Sequence, residues 1–321
     1  MQWGMAPVLP WSLLVPVLLL VATCLLGAWG QATVPHAEGD VVATALLDAG
    51  RSPRRALRLE QRRGWGQGMV VSVSPEVETV LGVGAGRELR TEYGPEVAVP
   101  LYVEWQAGAG RGQARYRVRV GRPEVRAVDD EGMEPAWRLA EELGAVSGRD
   151  GAVVLSDRGV PVQAWVQLGP GASAALSSLV RAALSSDWLV TPRLPEEPVG
   201  AGARWVVARA QEEGLAVVTY ELVELEGARG RVRFLLQSQG AEGPLAPRAE
   251  GELRFDLRRP FPERLEVLYT SRAELGTQGA RRLEVVRRTR VTLESGSPLA
   301  PAHPEMIAAP WISEGEQVRA P

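Results

Sequence analysis

The sequence predicts an α+β fold, mainly β. Antiparallel strands form a curved or two-part sheet, with two helices packed on it at about 134–143 and 172–186. Three observations predict this. Between residues 51 and 295 the dominant hydrophobic period is two, the repeat of a strand with one buried and one solvated face. Short Gly-containing strings separate the runs, as in hairpins. Helical spacing of apolar residues occurs in two places only.

The elements follow in order. Arg115–Val120 puts Tyr116, Val118 and Val120 on one face and Arg115, Arg117 and Arg119 on the other. Similar runs occur at Leu57–Gln61, Met69–Ser74, Val77–Val83, Leu101–Gln106, Val153–Leu155 and Val162–Leu168. A second group comprises Trp205–Ala210, Ala216–Leu225, Val232–Gln237, Gly251–Leu257, Leu265–Leu275 and Arg282–Leu293. Hairpin strings include Ser156–Gly159, Gln211–Gly214 and Glu226–Gly230. In the first helix Trp137, Ala140 and Leu143 share a face, and Glu141 and Glu142 point outward. The second aligns Leu176, Leu179, Val180, Ala183 and Leu184. Composition divides the chain further. Residues 1–30 are an apolar leader, 31–50 a spacer and 51–190 an N-terminal β-rich half with both helices. Residues 191–295 are a C-terminal β-rich half, and 296–321 a disordered tail rich in Pro and Ala.

Composition also limits the chemistry. The chain has 321 residues and a formal charge of −3, and its 36 basic residues are all Arg, since Lys is absent. Without Lys there is no Schiff base or P-loop lysine. The two His, His36 and His303, lie near the ends, and the one Cys, Cys24, lies in the leader. A Ser-His-Asp triad or a zinc site within the body is therefore excluded. Gly82–Gly86 and Gly108–Gly112 follow strands, but no helical pattern comes after them, so they read as turns rather than phosphate cradles. The acidic group Asp129, Asp130, Glu131 and Glu134 matches no calcium loop and suits a helix N-terminus. No cofactor, metal or catalytic residue is expected.

Residues 6–29, APVLPWSLLVPVLLLVATCLLGAW, have the length and apolarity of an export signal core, although no basic residue precedes them. A cleaved signal, an uncleaved membrane anchor and lipidation at Cys24 are the three alternatives. Val21-Ala22-Thr23-Cys24 resembles a lipobox, with Thr23 where a smaller residue is usual. Each alternative implies an exported protein, periplasmic or on the cell surface, with membrane contact through this segment if it is uncleaved or lipidated.

Two arginine clusters stand out. Residues 51–63 hold six Arg, including Arg54, Arg55, Arg58, Arg62 and Arg63, against Glu60. Residues 281–290 hold five, including Arg287, Arg288 and Arg290, against Glu284. Side by side they would make a stripe for anionic headgroups, and separately they would be solvated strand faces. An exported acidic chain is a poor partner for nucleic acid.

The most distinctive string is Leu194–Trp205, LPEEPVGAGARW, in which two prolines extend the approach and Gly200 and Gly202 allow a tight turn before Trp205. Through Pro198-Val199, Gly202 and Trp205, and through Gly251–Leu257 downstream, residues of about 190–295 resemble a family of uncharacterised exported or lipidated β-rich proteins of GC-rich bacteria. The resemblance implies an exported β protein and supplies no site residues. Long antiparallel strands backed by helices are similar in architecture to the curved sheets of envelope lipid carriers. The expected function is thus a non-catalytic binding or carrier module of the envelope, for an apolar ligand such as a lipid or for another envelope protein. A structural or assembly protein and a carboxylate-based hydrolase are the alternatives.

Overall fold

The computed structural model describes residues 33–34, 41–83, 86–167, 192–211, 214–239, 248–275 and 281–296. The leader with Cys24, both histidines, the helix expected at about 172–186 and the chain after 296 lie outside them. The period-two runs become strands. They are β1 (Thr33–Val34), β2 (Val41–Asp48), β3 (Gly66–Val83), β4 (Gly86–Tyr93) and β5 (Glu96–Gly110). Next come β6 (Gln113–Val120), β7 (Glu124–Arg126), β8 (Asp150–Ser156) and β9 (Pro161–Val166). The rest are β10 (Arg204–Gln211), β11 (Gly214–Glu226), β12 (Arg229–Gln239), β13 (Arg248–Asp256), β14 (Arg264–Leu275) and β15 (Arg281–Ser295). Among the described residues there is one helix, α1 (Met133–Gly144).

All fifteen strands belong to one antiparallel sheet, ordered β1-β9-β8-β6-β5-β3-β15-β14-β13-β12-β11-β10-β2. β4 continues the sheet beside the far part of β3, and β7 lies beside β5. The two expected halves are joined directly, because β15 pairs with β3 along its whole length, from Arg281↔Val83 to Ser295↔Met69. The runs at Met69–Ser74 and Val77–Val83 are one strand that passes through Pro75. There β5 hands over to β4, which pairs from Glu76 onward. A proline is tolerated at a place where ladder pairing changes partner. Among the described residues the sheet does not close. Its outermost strands, β1 and β2, are separated by six residues, 35–40, so their facing ends lie within about 25 Å of each other.

Two expectations need correction. The stretch taken as a spacer holds β2, which pairs with β10 over Val41–Asp48. The run at Leu57–Gln61 is not a strand. Leu57 and Leu59 do alternate inward and are buried. Their backbone, however, crosses between distant turns: Leu59 N–H donates to Asp157 O (2.7 Å) and Glu60 N–H to Leu257 O (2.6 Å). Residues 51–65 are thus a strap tying the β8–β9 hairpin to the turn after β13.

The LPEEPVGAGARW string clasps that strap. Arg55 and Val199 form a two-way backbone bridge (3.0 and 2.9 Å), and Gly200 N–H donates to Ala49 O (2.9 Å). A Cβ on Gly200 would stand 1.8 Å from Arg51 O, so only glycine permits the approach. Gly202, at φ +85°, turns the chain into β10. Trp205 is fully buried, donates its indole N–H to Arg193 O (2.8 Å) and stacks on Tyr220 at 5.3 Å.

The inner face of the sheet and the strap enclose one apolar core drawn from both halves. It includes Leu57, Val103, Tyr116, Leu155, Leu194, Trp205, Phe255 and Leu293. Trp65, Tyr116 and Phe261 meet as an aromatic triad, with centroids 5.9–6.4 Å apart, between the strap, β6 and the turn before β14. A second cluster lies under α1, where Leu143 packs with Val97, Val120, Val146 and Val166. Trp137, expected on the packing face, is instead 67% exposed, because α1 seats Ala136 and Leu143.

A candidate binding groove on the outer face

Alternation sends Tyr220, Phe234, Leu253 and Val267 inward, so the residues between them face out. Strand register then decides which outward side chains meet. Arg204 stands opposite Glu221, Glu221 opposite Arg233, Arg233 opposite Glu252, and Glu252 opposite Glu266. The next row along the strands is Thr219, Leu235, Glu250 and Leu268. Beyond it Arg248 faces Gln237 and Thr270. These rows line a groove of about 660 Å³, with Leu235 and Leu268 between flanks of both charges.

The flanks are partly organised by ion pairs. Glu252 accepts from Arg231 (3.0 Å) and lies within 3.7 Å of Arg233, while Arg248 holds Glu250 at 2.9 Å. Arg290 reaches Glu266 at 3.7 Å. Arg204 and Glu221 make no ion pair among the described residues, so one cation and one anion at the β10–β11 side remain available.

No protein-family model matches the chain, and no curated relative does. Among solved structures, a TodX deltaS2S3 mutant monoaromatic hydrocarbon channel is 7% identical, at a TM-score of 0.18, over 73% of this chain and 91% of that one. The crystal structure of the P. putida toluene transporter TodX is 8% identical at the same TM-score, over 84% and 100%.

Among the described residues no hydrogen bond or ion pair joins the two arginine clusters, and each has its own partners. Arg54 donates twice to Gly50 O (2.9 and 2.7 Å), Arg55 donates to Gly227 O, and Arg58 donates to Leu57 O and Pro195 O (2.8 and 3.2 Å). Arg62 pairs with Glu60 at 3.0 Å, and Arg63 is exposed. On β15, Arg288 bridges Glu76 (2.9 Å) and Glu78 (2.7 Å) of β3 on the outer face, the face Arg290 shares. Arg287 lies on the opposite face, in register with Val77 and Ser271, and its Nε is buried without a hydrogen-bond partner. The acidic group before α1 starts the helix: Asp129 accepts from Gly132 N–H at 2.8 Å, and Glu134 pairs with Arg138.

Sequence reasoning missed the groove residues Arg204, Glu221, Arg233, Glu250 and Glu252. The available signal was a charge at every second position in successive strands. Alternation alone gives a solvated face, and only register gathers those charges around Leu235 and Leu268.

Proposed function

We infer that the protein is a non-catalytic, exported module of the cell envelope that binds an extended polypeptide segment of a partner through this groove. One observation carries the reading: two half-buried apolar side chains, Leu235 and Leu268, stand on either side of Glu250 in one groove that also holds Arg204, Arg233 and Arg248 and Glu221, Glu252 and Glu266. A polypeptide offers apolar and oppositely charged groups in alternation, which both flanks can match. An acyl chain would leave those charges unused. On the inner face, Trp205, Leu222, Val232, Phe255 and Leu265 already fill the core with their own side chains.

The electrostatics support a non-catalytic role. Among described carboxylates, those displaced from ordinary titration are displaced downward, opposite to what a general acid needs. Burial alone would raise Asp150, but hydrogen bonds from Arg117 and Arg119 bring it below the usual range. Arg231 does the same for Glu224. Tyr116, pushed up to about 12 by burial, remains a neutral phenol.

Native mass spectrometry of protein purified from its source envelope tests the reading. A bound polypeptide, lost in Leu235→Asp while the folded mass is retained, is the expected result. An acyl lipid retained by both proteins would overturn it in favour of a lipid carrier.

A further inference from the structure

Helix α1 has two apolar sides. One, with Ala136, Leu143 and half-buried Leu139, packs on the sheet against Val97, Val120 and Val166. The other faces outward. Met133 is 62% and Trp137 67% exposed, and Ala140 and Gly144 continue the same stripe at i+7 and i+11 from Met133. Val128, just before the helix, adds a further 50%-exposed side chain. Among the other described tryptophans Trp205 is fully buried, Trp65 and Trp105 are half-buried and Trp165 is 37% exposed, so Trp137 at 67% is the most exposed of them. A contiguous apolar stripe on a helix is the form that groove-bound helices present, with anchors at i, i+4 and i+7.

The surroundings of the stripe select its occupant. Residues 128–144 carry six carboxylates (Asp129, Asp130, Glu131, Glu134, Glu141 and Glu142) against one guanidinium, Arg138, a local net charge of −5. Asp129 is used by the turn and Glu134 by Arg138, which leaves Asp130 and Glu131 just before the helix and Glu141 beside the stripe, while Glu142 lies on the far side, half a turn from Met133. Such a flank is repelled by anionic lipid and complements a basic rim. We propose that α1 is a docking helix whose Met133–Trp137–Ala140 stripe enters an apolar groove rimmed by Arg or Lys on a partner protein. This surface is separate from the outer groove of β10–β14, and the two readings stand or fall independently.

The experiment places a photo-crosslinking amino acid at Ala140 in the full chain, expressed in its native host. The expected result is one discrete adduct with a different protein, mapped to a segment of net positive charge. Its yield should fall about tenfold or more in Trp137→Ala and in the charge reversal Glu141→Arg, both of which retain the parent's thermal midpoint within a few degrees. Four results overturn the proposal: no adduct, an adduct with a second copy of this chain, an adduct insensitive to charge reversal, or an adduct mapped to an acidic segment. A fifth would be a blue shift of tryptophan emission, present in the parent and absent in Trp137→Ala, on adding phosphatidylcholine or phosphatidylglycerol vesicles. That result would assign the stripe to a membrane surface.

Discussion

Asp256 shows how one side chain can make this fold sensitive to acid. Its carboxylate is 1% exposed, accepts from the backbone N–H (3.0 Å) and Nε (2.8 Å) of Arg258, and lies 3.6 Å from Arg229. Arg258 first, and Arg229 after it, hold its pKa at about 2, below the ordinary 3.8. Because the folded value is the lower one, the stabilisation is fully present above pH 4–5 and is lost as pH falls towards 2. Its size is about 2 kcal/mol. Asp256→Asn should therefore unfold more easily at pH 7 by about that amount and show a flatter acid limb between pH 4 and 2, which urea titrations at several pH values would measure. Gln67 makes the opposite case. It is 2% exposed, and neither its amide oxygen nor its nitrogen has a hydrogen-bond partner. Leaving such a group unpaired costs about 1–3 kcal/mol, so Gln67→Met should raise the urea midpoint. A lowered midpoint would mean that a buried water satisfies the amide.

The strap and its clasp behave as one unit. Leu57 has no exposed surface and holds the strap in the shared core, so Leu57→Ala should cost about 2–5 kcal/mol. Gly200→Ala should be destabilising on a similar scale, through backbone displacement rather than a cavity, because its Cβ would meet Arg51 O. Leu47→Ala, at a position 57% exposed on β2, should change stability by less than about 0.5 kcal/mol. The same elements show where sequence was informative. The alternation in Arg115–Val120 or Val232–Gln237 needed no context, since a half-buried strand has one way to present that pattern. Leu57 and Leu59 alternate as well, and their burial was legible. What this stretch bonds to was not, because the partners of Leu59 and Glu60 are turns about a hundred and two hundred residues away. In α1 the existence of the helix was legible and its orientation was not. The spacing put Trp137, Ala140 and Leu143 on one packing face, and the chain buries Leu143 with Ala136 and leaves Trp137 outside. The outer groove was hidden for a third reason, since opposing charges are brought together by inter-strand register.

At the scale of the molecule, the two halves share one sheet and one core. Val103, Tyr116 and Leu155 from the first half pack in the same cluster as Trp205, Leu253 and Leu293 from the second. Thermal unfolding should therefore be a single transition, with tryptophan fluorescence and far-UV circular dichroism coincident. Two separated transitions would mean that the halves are energetically independent.

The joint between β3 and β15 has a consequence in time as well as in space. It is the most extensive pairing in the sheet, and it unites residues about two hundred positions apart. During synthesis β3 emerges early and waits with that edge unsatisfied until the last strand arrives. Closing so long a loop is slow, and exposed edges recruit strands from other chains. A chain shortened before Arg281 would lack the strand that covers β3 and β14, and should be recovered as aggregates rather than as a smaller folded protein.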